Sequence, residues 1–155
     1  MNHKMRKFIR NESGTQMIEF AFLLPFLLLA FAAVVEMGRM FYTYTTINKA
    51  TEVAARYLAS APVTSGNYSS TDLAIAKNLL VCGKNPCGGE SIVTDLSSTN
   101  VSVTPPGTAL GTRYVTVTVT YVYTPKIWNL GHLVNSNSLS LNFTFTPRIT
   151  MRYMV

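Results

Sequence analysis

The stretch Ser13–Arg39 reads SGTQMIEFAFLLPFLLLAFAAVVEMGR, and its reading decides the architecture. Phe20 to Val35 is sixteen residues without a charge, hydroxyl or amide. That is a little short of the roughly 20 that a membrane-spanning helix needs. Met17, Ile18, Met37, Met40 and Phe41 extend it, with Glu19 and Glu36 as interruptions near each end. From Gln16 to Ala59 there is one proline, Pro25, and one glycine, Gly38. The run therefore predicts about 44 residues of nearly continuous helix, roughly 66 Å long. Pro25 removes a backbone donor and crowds the carbonyl of Ala21, so a kink or loosened turn is expected there.

Working outward, charge sets the orientation. The 155 residues carry a formal net charge of +6. Lys4, Arg6, Lys7 and Arg10 lie ahead of the apolar run, opposed there only by Glu12. Without that segment, nine basic and six acidic residues remain, a balance of +3. The basicity belongs mainly to the leader, and no basic patch interleaved with aromatics is left, which excludes nucleic acid as an expected partner. Four Lys/Arg before the span, against Arg39 and Lys49 just after it, predict a cytoplasmic N-terminus in a single-pass membrane protein with the bulk of the chain exported.

Two processing schemes compete. An ordinary secretory signal would be cut at the small-residue pattern Ala30-Phe31-Ala32. Against it stand a long leader containing Glu12 and Glu19, an apolar run continuing through Val34 and Val35, and no helix breaker after Ala32. The second scheme cuts between Gly14 and Thr15, ahead of the apolar run, and keeps the hydrophobic segment on the mature chain.

Beyond the span the pattern becomes amphipathic. Ile47, Ala50, Ala54, Tyr57, Leu58 and Ala61 recur at spacings of three and four, with Lys49, Glu52 and Arg56 on the other side. The remainder reads as a small α+β head. Pro62 to Ser70 is a polar linker. Ser70 or Thr71 can cap a short helix through Leu80, with Asp72 in its first turn and Gly83 as its stop. Asn100–Thr104 is a first strand. Tyr114–Thr124 alternates, with Val115, Val117, Val119, Tyr121 and Tyr123 on one face. Leu139–Thr146 repeats that alternation, and Ile149, Met151 and Tyr153 continue it after Pro147. The expected fold is a long N-terminal transmembrane and amphipathic helix carrying a small antiparallel head of three to four strands and one short helix. Pro125 to Ser138 joins two strands and carries the only tryptophan, Trp128, beside Ile127, Leu130, Leu133 and Val134. It reads as a loop over the core, with a contact patch as the alternative.

Only Cys82 and Cys87 are present, as CGKNPC. Two cysteines cannot make a four-thiolate zinc site, and His3 and His132 lack ligand spacing. In an exported head the pair is expected to form a disulfide. No nucleophile motif and no phosphate-cradling glycine loop occurs, and Asp72, Glu90 and Asp95 are the only carboxylates after the stem. No cofactor, metal or catalytic activity is expected.

A basic leader ending in glycine, a glutamate five residues later and a long apolar helix resemble the prepilin class; here these are Gly14 and Glu19. The phrases EFAFLLPFLLL and VEMGRMFYTYTTINKATEVAARYLA, with Pro25, Glu36, Gly38, Arg39 and Ala54–Arg56, resemble TadE-like minor pilins, or pseudopilins, of Tad/Flp pilus systems. The likeness covers residues 13 to 61; the remainder is similar only in style. It implies a leader 1–14 removed by a prepilin peptidase after Gly14, a stem 15–61 starting at Thr15, and an exported head 62–155. It implies as partners the peptidase, a major Flp pilin, other minor pilins, membrane lipid and an inner-membrane assembly platform. It also implies that Glu19 pairs with the new N-terminal ammonium of a neighbouring pilin and so sets register. Surface attachment and biofilm growth are the implied purpose. The rival expectation is a secreted or membrane-tethered binding module with an ordinary signal or an uncleaved anchor. A type II secretion pseudopilin fits the Glu36-Met-Gly-Arg39 phrase poorly, and a major Flp pilin would be little more than the stem.

Overall fold

A computed structural model describes residues 12–107, 113–126 and 142–154 of the chain. It divides into two compact units, Met1–Gly38 and Arg39–Val155. One helix, α1, runs Glu12–Ser60 for 49 residues and passes through Pro25 uninterrupted.

In the N-terminal unit α1 is greasy on every face. Met17, Phe20, Phe22, Phe26, Leu27, Phe31 and Val34 are all exposed on this chain, so no single stripe can turn to a core. A helix hydrophobic all round belongs in lipid or among other helices, because water would have to solvate its whole surface. It is long and apolar enough to cross a membrane.

The C-terminal unit begins with the second part of α1 and continues with β1 (Val63–Thr64), β2 (Asn67–Tyr68), a second helix α2 (Ser70–Cys82), a 3-10 turn (Ser98–Asn100), β3 (Val101–Thr104), β4 (Tyr114–Val119), β5 (Tyr121–Tyr123), β6 (Phe143–Phe145) and β7 (Arg148–Arg152). Among the described residues these strands form three antiparallel sheets, in the orders β1-β2, β3-β4-β7 and β5-β6. The α+β expectation is borne out, with more and shorter strands than the alternation alone suggested.

Each difference has a local cause. The expected linker after Pro62 holds a hairpin, Val63 opposite Tyr68 and Thr64 opposite Asn67. Its two turn residues, Ser65 and Gly66, both have positive φ, the conformation that matches the twist of paired strands. The single run Tyr114–Thr124 divides at Thr120 because its partner contains Pro147. Going from Thr118 to Tyr121 moves the partner back from Arg148 to Phe145, three residues for three, so the register is unbroken. The Val119 amide donates to the Pro147 carbonyl at 3.0 Å, but proline has no N–H to return the bond. One physical ladder is thereby split into two. The α2 cap is Ser69 rather than Ser70 or Thr71: its hydroxyl accepts from the Asp72 amide at 3.0 Å. The helix runs to Cys82 and stops at Gly83, whose φ of 69° is left-handed, as expected for that glycine. The segment containing Trp128, together with Leu139 and Leu141, lies outside the described residues.

The core of this unit forms where α1 meets the strands. Ile47, Ala50, Ala54, Ala55, Leu58, Ala59 and Ala61 share one buried cluster with Ala76 and Leu80 of α2 and with Val115, Val117, Val119, Tyr121 and Tyr123. Five of those positions at the end of the stem are alanine, which lets the neighbouring elements approach the helix backbone closely. Lys49 and Arg56 stay outside, and Arg56 pairs with Glu52 one turn earlier. The end of α1 leaves carbonyls without intrahelical donors. Three receive other donors: Tyr57 from the hydroxyl of the helix's own Ser60, and, from the head, Leu58 from the Tyr68 hydroxyl at 2.8 Å and Ala59 from the Met154 amide at 3.0 Å. The helix is thus closed off largely by its own head.

Candidate functional site

The functional candidates lie along α1, and their placement follows from helical spacing. Gly14 and Thr15 both lie within α1, so the bond between them is helical in this chain. Open space surrounds Gly14: a Cβ there would meet nothing within 4 Å. Thr15 and Glu19 are both exposed and stand one turn apart. Among the described residues Glu19 has no ion-pair partner. A charge amid hydrocarbon costs roughly 2.5–3.5 kcal/mol near a bilayer centre, so such a carboxylate is tolerable only near the interface or with a partner.

Pro25 lies exposed in the middle of the apolar segment. Glu36, by contrast, is buried, and both it and Arg39 take part in polar or electrostatic contacts. Gly38 is open like Gly14, with nothing within 4 Å of an added Cβ. Neither glycine is required by the packing of this chain.

Cys82 and Cys87 form the expected disulfide, with Cα atoms 5.5 Å apart. It closes a short loop immediately after α2, and Asn78 reaches from the helix to donate to Asn85 within that loop at 3.0 Å. Among the described residues no group of three His, Cys, Asp or Glu side chains comes together to hold a metal.

Sequence reading overlooked a set of tyrosine links that hold the end of the stem to the head. Tyr57 donates to Asp72 at 3.0 Å, and Asp72 also accepts from Ser69, so a residue in the first turn of α2 ties it to α1. Burial, then the hydrogen bond to Asp72, then that carboxylate's charge push the Tyr57 phenol up. Burial and the nearby Tyr153 push Tyr68 up to about 12. Tyr121, donating to the Thr94 carbonyl at 2.9 Å, is raised by burial and by Asp95. Tyr153 accepts from the Val63 amide at 3.1 Å. The signal available in the sequence was the density of tyrosines beside the stem end; their partners depend on the hairpin at Ser65-Gly66.

Residues 14–56 match the family of TadE-like proteins. The match begins at Gly14 and takes in Glu19, Pro25, Glu36, Gly38 and Arg39. No curated protein and no solved structure matches the chain.

Proposed function

We propose that this chain, TadE-like in its stem and so associated with the Tad pilus, is a minor pilin that helps assemble or prime a Tad/Flp pilus used in surface attachment. It is a structural subunit rather than a catalyst. The observation that carries the reading is the conjunction of the family match with an apolar helix that its own chain leaves uncovered on every face. Lipid covers such a surface before assembly, and neighbouring stems cover it afterwards. The segment sits N-terminus inward, with the head exported.

A prepilin peptidase removes the leader after Gly14. Glycine within a helix weakens it locally by about 1 kcal/mol relative to alanine, which eases local opening of the bond to be cut. Glycine also admits the backbone to a crowded active site without a Cβ. The major Flp pilin, other minor pilins and the inner-membrane platform are the partners of the mature chain.

N-terminal sequencing of protein made with and without the peptidase tests this directly. A mature chain beginning at Thr15, only when the peptidase is present, and a full-length Gly14→Val precursor are the expected results. A mature chain beginning at Ala33 would instead establish a secretory signal and a released binding module.

A further inference from the structure

The aromatic end of the head has no role in the reading above. Two contacts fix how the last strands lie along α1. Phe145 of β6 meets the Tyr44 ring edge-on, centroids 5.5 Å apart, and the Met154 amide bonds to the Ala59 carbonyl at 3.0 Å. Strand and helix therefore advance in the same direction. Moving back two residues from Phe145 covers about 6–7 Å of strand, or roughly four to five helical residues, which brings Phe143 to the level of Met40 and Arg39. That level is where the apolar run of α1 ends.

The surface gathered there is apolar, aromatic and basic. Tyr121 and Tyr123 pack around Phe145, with centroids 6.5 and 6.1 Å away. Phe143, opposite Tyr123 in the ladder, is 49% exposed, and Val122 on the other face is 47% exposed. On the helix Phe41 and Tyr42 are 59% and 74% exposed. Arg39 and Lys126 are the charged residues described on segments 39–44, 121–126 and 142–145, each also engaged in a contact within the chain, and the nearest carboxylate on the helix, Glu36, is buried one turn before Arg39. Aromatic rings with polar tips favour the headgroup level of a bilayer, and basic groups favour anionic lipid. Those are the residue types collected at this level, and the helix that carries them runs directly into the apolar segment.

We propose that Phe143, Val122, Phe41 and Tyr42 form a lipid-contact surface that seats the head on the anionic headgroup layer while the subunit is still anchored in the membrane. The inference rests on the membrane insertion proposed above. It gives the β5–β6 end a second role, that of setting how the head stands on the bilayer before the subunit is taken into an assembly.

Because Cys82 and Cys87 are paired, a single added cysteine takes an environment-sensitive fluorophore selectively. Full-length chain carrying Phe143→Cys, Arg152→Cys or Leu24→Cys is reconstituted into vesicles of phosphatidylethanolamine and phosphatidylglycerol containing headgroup-level or acyl-chain spin-labelled quenchers. The label at 24 is expected to lose its signal to the acyl-chain quencher, and the label at 143 to the headgroup quencher. The label at 152, on the exposed side of β7 and nearer the far end of the stem, is expected to keep its signal. Replacing phosphatidylglycerol by phosphatidylcholine should weaken quenching at 143 and leave 24 unchanged. Quenching at 24 with 143 and 152 equally unquenched overturns the lipid contact and leaves insertion standing. A label at 143 shielded from aqueous iodide but untouched by lipid quencher overturns it in favour of a protein partner. No quenching at 24 overturns insertion itself.

Discussion

At the residue scale, Glu19 and Tyr68 present the same problem, a polar group where the surroundings are apolar, and meet it differently. Glu19 is exposed, and no described residue forms an ion pair with it. In a membrane the headgroup layer can solvate it, but packed stems would remove that water, and an unpaired buried charge is strongly destabilising. Under the cleavage proposed after Gly14, a neighbour's Thr15 ammonium is the partner that fits. Glu19→Gln should therefore be inserted and cleaved nearly as wild type yet fail to co-purify with other pilins or to support pili. Wild-type piliation by that variant would reduce Glu19 to a residue tolerated at the membrane edge.

Tyr68 is buried, and its hydroxyl donates to the Leu58 carbonyl, so its neutral form is the one the fold stabilises. Its phenol titrates at about 12 in the folded chain, against an ordinary value of 10.0. The unfolded chain thus releases this proton first as pH rises, and the stabilisation, complete below about pH 10, is lost between about pH 10 and 12. The full loss is on the order of 2 kcal/mol. Tyr57 and Tyr121 shift in the same direction and add to the slope. Denaturant midpoints measured from about pH 8 upward on detergent-solubilised protein should fall above about pH 10. Tyr68→Phe should flatten that fall in part while lowering stability at neutral pH. An identical alkaline slope in the variant would remove Tyr68 as its source.

At the scale of elements, the legibility of the sequence tracked the range of the interactions involved. The alternation of Val115, Val117, Val119, Tyr121 and Tyr123 was readable because burial on one face writes itself at period two, and all five are buried. The stripe on α1 was readable at Ile47, Ala50, Ala54 and Leu58 for the same kind of reason. Ala55 and Ala59, fully buried, were not singled out, because alanine contributes little to a hydrophobic pattern and reveals itself only when a second face of the helix is covered. The hairpin at residues 63–68 was missed because two-residue strands carry no periodicity; only the Ser65-Gly66 turn marked it.

The split at Pro147 is testable as a single missing donor. Pro147→Ala would supply an amide placed to bond the Val119 carbonyl, contributing about 0.5–1.5 kcal/mol. The loss of proline's restriction of the unfolded chain offsets this by about 0.4–1 kcal/mol. Stability should thus change by less than about 1 kcal/mol, while the β4–β7 and β5–β6 ladders join into one. Hydrogen exchange should find the new amide at position 147 protected to the same degree as that of Ile149. A freely exchanging amide there would mean that the backbone, not the missing donor, divides the ladder.

For the whole molecule, the decisive question is where the head begins. The polar stretch after Ala61 looks like a boundary in sequence, yet the compact unit starts at Arg39. The difference follows from what each half of α1 must cover. Up to Gly38 most of the helix surface is left bare on this chain, whereas from Ile47 onward it supplies much of the buried cluster around which the strands close. Ile47 and Leu58 are fully buried, and losing either to alanine would cost about 2–5 kcal/mol. Removing both, with the alanines between them, takes away an amount comparable to the roughly 5–15 kcal/mol that a domain of this kind typically has in reserve. A fragment 39–155 should therefore fold cooperatively with its disulfide formed, and a fragment 62–155 should not. Far-UV circular dichroism, thermal unfolding and amide dispersion by NMR distinguish the two. The longer fragment should also need detergent to stay dispersed, because it carries the exposed Phe41, Tyr42, Val122 and Phe143 without a membrane to receive them. If 62–155 folded with native-like dispersion, the second half of α1 would be a mere tether. The cluster around Val115, Val117 and Val119 would then have to close without Ile47 and Leu58, its two large residues from the stem.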